Sequence, residues 1–213
     1  RSDGCAYSDF AILYRTNAQS RTFEDELRAH AMPYRIFGGL SFYQRKEIKD
    51  VIAYYRVIVN PDDEEALKRI INYPARGIGS TTVDKISACA AEHHVSLWQI
   101  ITHPTEHGLA VNRGTLGKLA QFAQLIETFR GSLDEQDADQ LGQAVIKESG
   151  IYADLCQGTD VEALARRENV EELMSSLSEF VDGRREEGRE ENVGLADFLQ
   201  EVSLLSDQDS DDG

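Results

Sequence analysis

Near its start the chain reads Phe10-Ala-Ile-Leu-Tyr-Arg-Thr-Asn-Ala-Gln-Ser-Arg21. The apolar residues predict a buried strand over residues 9–14, and the polar turn that follows leads into a helix predicted from Arg21 to His30. An aromatic residue and an arginine at the carboxyl end of a strand lie where open α/β sheets bind ligands. Tyr14 can therefore stack on a base, and the planar, permanently charged fork of Arg15 can hold a phosphate.

A second stretch reads Pro33-Tyr-Arg-Ile-Phe-Gly-Gly-Leu-Ser-Phe-Tyr-Gln-Arg-Lys-Glu-Ile-Lys-Asp50. It predicts a short strand over residues 34–37, ended by two glycines, and a helix from Glu47 onward. Arg45, Lys46 and Lys49 fall at the start of that helix, where cations are unfavourable for the helix dipole. Either an anionic ligand compensates them, or nearby carboxylates of the same helix do so through local pairs.

A third stretch reads Asn72-Tyr-Pro-Ala-Arg-Gly-Ile-Gly-Ser-Thr-Thr82 and has the form of a helix-hairpin-helix turn. The glycines permit positive φ and close approach of the main chain, Ile78 can pack inward, and the N–H groups of the next helix point outward. Such a turn can receive a DNA phosphate, although it is also common between ordinary helices. The candidate DNA contacts of such a turn are Arg76, Gly77, Ile78, Gly79, Ser80, Thr81, Thr82 and Lys85.

Together these three stretches resemble the UvrD/PcrA/Rep group of superfamily 1 DNA helicases. The resemblance implies that residues 1–55 are part of the second RecA-like motor domain and residues 56–205 a helical domain inserted into it. The polar, acidic composition of residues 206–213 predicts a flexible tail. The fold class expected is mainly α: an all-helical domain after a short strand-helix-strand segment.

The resemblance also implies roles for individual residues. Tyr14 stacks on adenine and Arg15 contacts the γ-phosphate of ATP bound with Mg²⁺; the Gly-Ile-Gly turn holds duplex DNA, and Arg45 and Lys46 lie near the single strand. Such an enzyme moves 3′ to 5′ on single-stranded DNA and unwinds duplex in repair or replication, with repair or replication proteins as possible partners.

The sequence contains no Gly-x-x-x-x-Gly-Lys-Ser/Thr phosphate loop and no acidic Mg²⁺ motif before the first strand. We therefore expect a piece of a larger enzyme that is inactive alone and binds no cofactor tightly. The rival interpretation is a non-catalytic helical module that binds DNA or a protein.

Charge is distributed unevenly, although the formal net charge is −16. Lys and Arg number 13 against 12 Asp and Glu in residues 1–90, but 9 against 26 in residues 91–213. Because acidic surfaces repel phosphate, nucleic-acid contact is expected in the first part and through localised groups.

Cys5, Cys89 and Cys156 are odd in number and lie far apart, which favours reduced thiols over a disulfide framework or a metal site. With no apolar run of membrane-spanning length and no signal-peptide pattern, we expect a cytoplasmic protein without a membrane partner.

Helical periodicity continues to the end of the chain. Asn60-Pro-Asp-Asp63 is expected to end one helix and cap the next, Ser80 or Thr81 to cap a helix that runs toward His93, and Ser96 to cap a short one. Further helices are predicted over about 115–130, 138–149, 161–181 and 195–205, with a mobile charged loop at 182–192.

Overall fold

The computed structural model describes residues 6–7, 10–14, 20–34, 42–189, 191 and 193–211; within these ranges the side chains of Arg21 and of residues 205–211 are not described. A short 3-10 turn covers Phe42–Gln44. The helices are α1 Ser20–Ala29, α2 Lys46–Val59, α3 Glu64–Ile70, α4 Ser80–His93, α5 Leu97–Thr102, α6 Arg113–Arg130, α7 Ala138–Glu148, α8 Ile151–Leu155, α9 Val161–Glu186 and α10 Leu195–Asp211. None of the described helices is both long and apolar enough to cross a membrane.

Helix α2 lies at the centre of the fold and packs against α3, α6, α7, α9 and α10. Residues on more than one of its faces are buried, including the adjacent Tyr54 and Tyr55. Tyr54 Oη donates to the carbonyl of Tyr73 (2.6 Å), and Tyr55 Oη donates to the carbonyl of Gly142 (3.0 Å). A buried hydroxyl without a partner is costly, so these bonds help determine where the loop after α3 and helix α7 lie on α2.

The mainly helical fold class is confirmed, and most predicted helices form close to their predicted bounds. The capping predictions also apply: the Asp63 side chain accepts from the N–H of Ala66, and Ser96 forms a capping box with Gln99. Gly79, rather than Ser80 or Thr81, is the N-cap of α4. The short helix α8 was not predicted, because five residues are too few to show a period.

The strand predicted over residues 9–14 is wrong for its described part, since residues 10–14 are irregular. Leu13 is 94% exposed and Phe10 is 70% exposed, although both were expected to be buried. A strand is stabilised by hydrogen bonds to a neighbouring strand, and no strand lies among the described residues to pair with it. Of the second predicted strand, only Tyr34 is described, and it is irregular; residues 35–37 lie outside the described ranges.

Helix α9 continues through the first part of the predicted mobile loop and ends at Glu186. Two arginines in this last turn pair with neighbouring helices: Arg184 with Glu201 of α10 (3.1 Å), and Arg185 with Asp137 at the start of α7 (2.8 Å). These partners are remote in sequence, so local composition could not reveal them. Helix α10 extends through Asp211, which includes much of the predicted flexible tail.

Glycine at position 142 allows α7 and α9 to pack closely. A Cβ there would lie 2.6 Å from Leu177 Cδ1 and 3.1 Å from Tyr55 Oη, and both of these side chains are fully buried. Although alanine is the better helix former, we expect Gly142→Ala to lower the free energy of unfolding by about 1–3 kcal/mol through overpacking.

The matched control is Gly117→Ala in α6, where a new Cβ meets nothing within 4 Å. It should raise the free energy of unfolding by about 0.5–1 kcal/mol. Urea titrations followed by circular dichroism compare the two variants. An equal gain in both would contradict the close packing of α7 on α9.

Candidate nucleic-acid interface

The Gly-Ile-Gly turn is held in place by the Asn72 side chain and by the burial of Ile78. The Asn72 side-chain oxygen accepts hydrogen bonds from the N–H groups of Arg76 (2.9 Å) and Ile78 (3.0 Å), which closes the loop. Ile78 is fully buried. Gly77 adopts φ +73°, a conformation that side chains other than glycine rarely take. The turn is therefore a rigid element, with its apolar residue inward and its glycine backbone at the surface.

Gly79 has a different role from the one expected. Its φ of −76° and ψ of 173° are open to any residue, so positive φ is required only at Gly77. No atom lies within 4 Å of where a Gly79 Cβ would be, and no side chain caps α4. In the first turn of α4, the N–H groups of the exposed Ser80 and Thr81 therefore lie beside an open surface, while the N–H of the half-buried Thr82 donates to the Gly79 carbonyl (3.0 Å). A helix N-terminus of this kind suits an anion.

Two lysines flank this surface. Lys85 is exposed and its Nζ donates to the carbonyl of Ala110 (3.1 Å). Lys118 of α6 is also exposed, and its Nζ donates to the carbonyl of Gly77 (3.2 Å). The Lys118 ammonium is thus held at the turn itself, while Lys85 lies on α4 one helical turn after Thr81. Each ammonium has a single neutral carbonyl partner and can still interact with a phosphate.

Arg76, which was expected to contact DNA, is turned into the protein. Its guanidinium donates to the carbonyls of Ile70 (3.2 Å), Pro74 (3.2 Å) and Ser149 (3.1 Å), and to Tyr54 Oη (2.6 Å). Burial raises the pKa of Tyr54 to about 12, so its hydroxyl is neutral and can donate a hydrogen bond to the Tyr73 carbonyl. Arg76 therefore stabilises the turn from the protein interior instead of facing solvent.

The expected nucleotide pair is described only in part. The ring of Tyr14 is half-buried and lies nearly parallel to that of Phe23 in α1, with 6.4 Å between centroids. Arg15 lies outside the described residues. Within the described ranges, no three His, Cys, Asp or Glu side chains come close enough together to hold a metal ion.

Arg45 and Lys46 differ sharply in exposure. Arg45 is only 6% exposed, and its guanidinium donates to Asn169 Oδ1 (2.9 Å) and Ser20 Oγ (2.6 Å). Burial lowers the pKa of Arg45, and the charges of nearby Glu24 and Glu47 oppose that change. The structure thus places Arg45 in the interior rather than at a DNA surface, because its fork is occupied by protein partners.

The Lys46 side chain is 73% exposed and its Nζ lies 3.4 Å from Asp50 Oδ2, one helical turn away. A carboxylate of the same helix therefore compensates this cation, which is one of the two alternatives drawn from the sequence.

Lys118 and Asn169 were missed by sequence reasoning. Lys118 bonds Gly77, which lies 41 residues earlier in the sequence, and Asn169 bonds Arg45, which lies 124 residues earlier. No short-range pattern marks either residue. Only Asn72 carried a local signal, because an asparagine just before a Pro- and Gly-containing segment is typical of a turn.

Comparison with known proteins identifies the family of this chain. The model of the UvrD-like helicase C-terminal domain matches residues 2–212, so the chain belongs to that family, and the resemblance drawn from the three motifs is confirmed. The chain is 38% identical over 204 residues to the ATP-dependent DNA helicase PcrA of Leuconostoc citreum, covering 96% of this chain and 27% of that protein.

Two other relatives give the same result. The chain is 37% identical to DNA helicase II of Haemophilus influenzae, over 94% of this chain and 27% of that protein. It is 36% identical to the ATP-dependent DNA helicase UvrD1 of Mycobacterium tuberculosis, over 95% of this chain and 27% of that protein. The chain thus spans about a quarter of the length of these relatives.

The position of Arg76 yields a stability prediction. Arg76→Ala removes a charged donor from four oxygens, including three main-chain carbonyls, and we expect it to lower the free energy of unfolding by about 2–3 kcal/mol. Lys85→Ala, at an exposed site beside the same turn, should change it by less than about 0.5 kcal/mol. Urea unfolding measures the free energy of unfolding of both variants. If Arg76→Ala is as stable as the parent, the inward bonds of Arg76 contribute little, and its side chain is again a candidate for contact with DNA.

Proposed function

We propose that this chain is the duplex-holding part of an ATP-dependent DNA helicase, joined to a portion of its motor domain. The observation that carries the proposal is the uncapped first turn of α4, which is open at Gly79 and flanked by Lys85 and Lys118. Membership of the UvrD-like helicase family supports it, as do relatives that are named DNA helicases.

The proposed division of labour follows the motifs. Residues 1–55 belong to the motor domain, in which Tyr14 stacks on adenine and Arg15 contacts the γ-phosphate. Residues 56–205 form the inserted helical domain, whose Gly-Ile-Gly turn meets the duplex. The remainder of the enzyme holds the ATP phosphates and Mg²⁺, since a phosphate loop does not occur in this sequence. The enzyme translocates 3′ to 5′ on single-stranded DNA and unwinds duplex in repair or replication.

Binding at the turn is expected to depend on the DNA backbone. Main-chain N–H groups and lysines contact phosphates, which carry no direct sequence information. The exposed surface of the turn is small and the second half of the chain is acidic, so only two or three phosphates are engaged. Affinity should therefore be insensitive to base sequence, with a shallow salt slope of about −0.9 for each phosphate neutralised.

Gly79→Val tests the turn without straining it, because the backbone at Gly79 suits any residue and no atom crowds the position. The new side chain covers the first turn of α4 and should weaken duplex binding by about ten- to a hundredfold, the loss of one charge-assisted hydrogen bond. Fluorescence titration of hairpin duplexes at several salt concentrations, in the intact protein, measures the change. Gly77→Val is a poorer probe, since it combines positive φ with a clash 2.6 Å from Lys118 Nζ.

The matched control is Gly183→Val in α9, another glycine whose Cβ would meet nothing within 4 Å. It should bind like the parent. Lys85→Ala and Lys118→Ala should each weaken binding modestly and make the salt slope shallower by about one phosphate. If Gly79→Val is folded and binds as tightly as Gly183→Val, the turn is only structural and the duplex is held elsewhere.

Substitution of Arg15 tests whether residues 1–55 take part in ATP hydrolysis. In the intact enzyme, Arg15→Ala should lower kcat for ATP hydrolysis on the order of 10³-fold while changing nucleotide affinity much less, because an arginine of this type acts on charge at the transferring phosphate. Tyr14→Ala should mainly raise KM for ATP, since stacking contributes equally to ground and transition states. Unchanged turnover in Arg15→Ala would remove Arg15 from the ATP site and favour a non-catalytic binding module.

A further inference from the structure

A buried polar network joins three helices that are far apart in sequence. At its centre is Arg45, which precedes α2. One guanidinium nitrogen donates to Asn169 of α9 (2.9 Å) and another donates to Ser20 of α1 (2.6 Å). The Ser20 hydroxyl donates to Glu24 (2.8 Å), and the Asn169 amide donates to Glu47 of α2. We call these five residues the Arg45 clasp.

Every member of the clasp is nearly inaccessible to solvent. Exposure is 1% at Ser20, 2% at Glu24, 6% at Arg45, 7% at Glu47 and 3% at Asn169. Burying three charges is costly, and apolar residues of the same volume often stabilise a fold at least as well. Hydrogen bonds, however, are directional, so such a network specifies one orientation of the helices that it joins.

Helix α1 connects the clasp to the nucleotide motif. Ser20 and Glu24 lie one turn apart on α1 and bind the clasp, while Phe23, between them in sequence, lies against the ring of Tyr14. The distance from the Tyr14 ring centroid to that of Phe23 is 6.4 Å. A change in the position of Tyr14 is therefore transmitted to α1, and α1 can move relative to α9 only if bonds of the clasp break.

We propose that Arg45 is a positioning residue that couples the ATP motif to the helical domain, by holding α1 against α9 through Ser20 and Asn169. This inference rests on the proposed function, because it takes Tyr14 as part of the ATP site and the helical domain as the part that meets DNA. Its consequence is that DNA bound by the helical domain alters ATP turnover through the clasp. Arg45 itself touches neither ATP nor DNA.

The first test is physical and does not depend on enzymatic activity. Amide hydrogen exchange of α1 is measured in the full-length protein that contains this chain, for the parent and for Asn169→Leu and Ser20→Ala. Asn169→Leu breaks the clasp on the α9 side and keeps the number of side-chain heavy atoms, and Ser20→Ala breaks it on the α1 side. Both should accelerate exchange in residues 24–29 by about tenfold, since each breaks the connection from α1 through Arg45 to α9.

The matched control is Ser176→Ala. Ser176 is 4% exposed, lies on α9 like Asn169, and donates to carbonyls of its own helix at Glu172 and Leu173. Exchange in α1 should remain at the parent rate in this variant. Equal acceleration in Ser176→Ala and Asn169→Leu would mean general loosening of the fold and would overturn the clasp, as would unchanged exchange in both clasp variants.

The second test concerns function. In Asn169→Leu, the stimulation of ATP turnover by DNA should fall by about tenfold, within the usual range of coupling between two sites. Turnover without DNA and KM for ATP should stay near the parent values. Arg45→Lys should behave like Asn169→Leu, because a lysine keeps the charge but cannot bond Ser20 and Asn169 with one planar fork.

The outcomes separate the two hypotheses. Faster α1 exchange with normal DNA stimulation would leave the clasp as a packing device and overturn its coupling role. A full-length parent protein without ATPase activity would refute both the proposed function and the coupling role, and the exchange measurement would still decide whether the clasp holds α1 on α9.

Discussion

The burial of α2 is the constraint on which the rest of the structure depends. A helix that is covered on several faces must satisfy every polar atom that it carries inside. The hydroxyls of Tyr54 and Tyr55 do so by donating to the Tyr73 carbonyl and to the Gly142 carbonyl, and Arg76 donates in turn to Tyr54. Through these bonds, the requirements of α2 position the loop before α4 and the helix α7.

The same requirement bears on the DNA surface that we propose for this acidic protein. Arg45 and Arg76, two of the cations that composition offers for phosphate binding, are turned inward and bond protein oxygens. What remains outside is the first turn of α4, whose N–H groups carry partial positive charge without a basic side chain. Lys85 and Lys118 add localised charge beside it. Under the proposed function, phosphate recognition is confined to this one turn, since the acidic helices repel phosphate elsewhere.

Helix prediction succeeded where the signal was local. Apolar residues spaced along α2, and caps such as Asp63 and Ser96, act within one or two turns, so they can be read directly. Prediction failed where the stabilising partner was remote. The last turn of α9 is held by Glu201 and Asp137, while the apolar run at 10–14 has no strand beside it in the described part of the chain.

By itself, the sequence determined the helical class, the family through its three motifs, and the turn at Gly77, because each depends on residues close together in the chain. Only the tertiary structure decided which polar groups face solvent. It placed Arg76 behind the turn and Arg45 inside the clasp, brought Lys118 to Gly77 from α6, and left Gly79 open. The physical reason is that a charged side chain is directed by the oxygens that folding brings within reach, and most of those oxygens belong to residues many positions away.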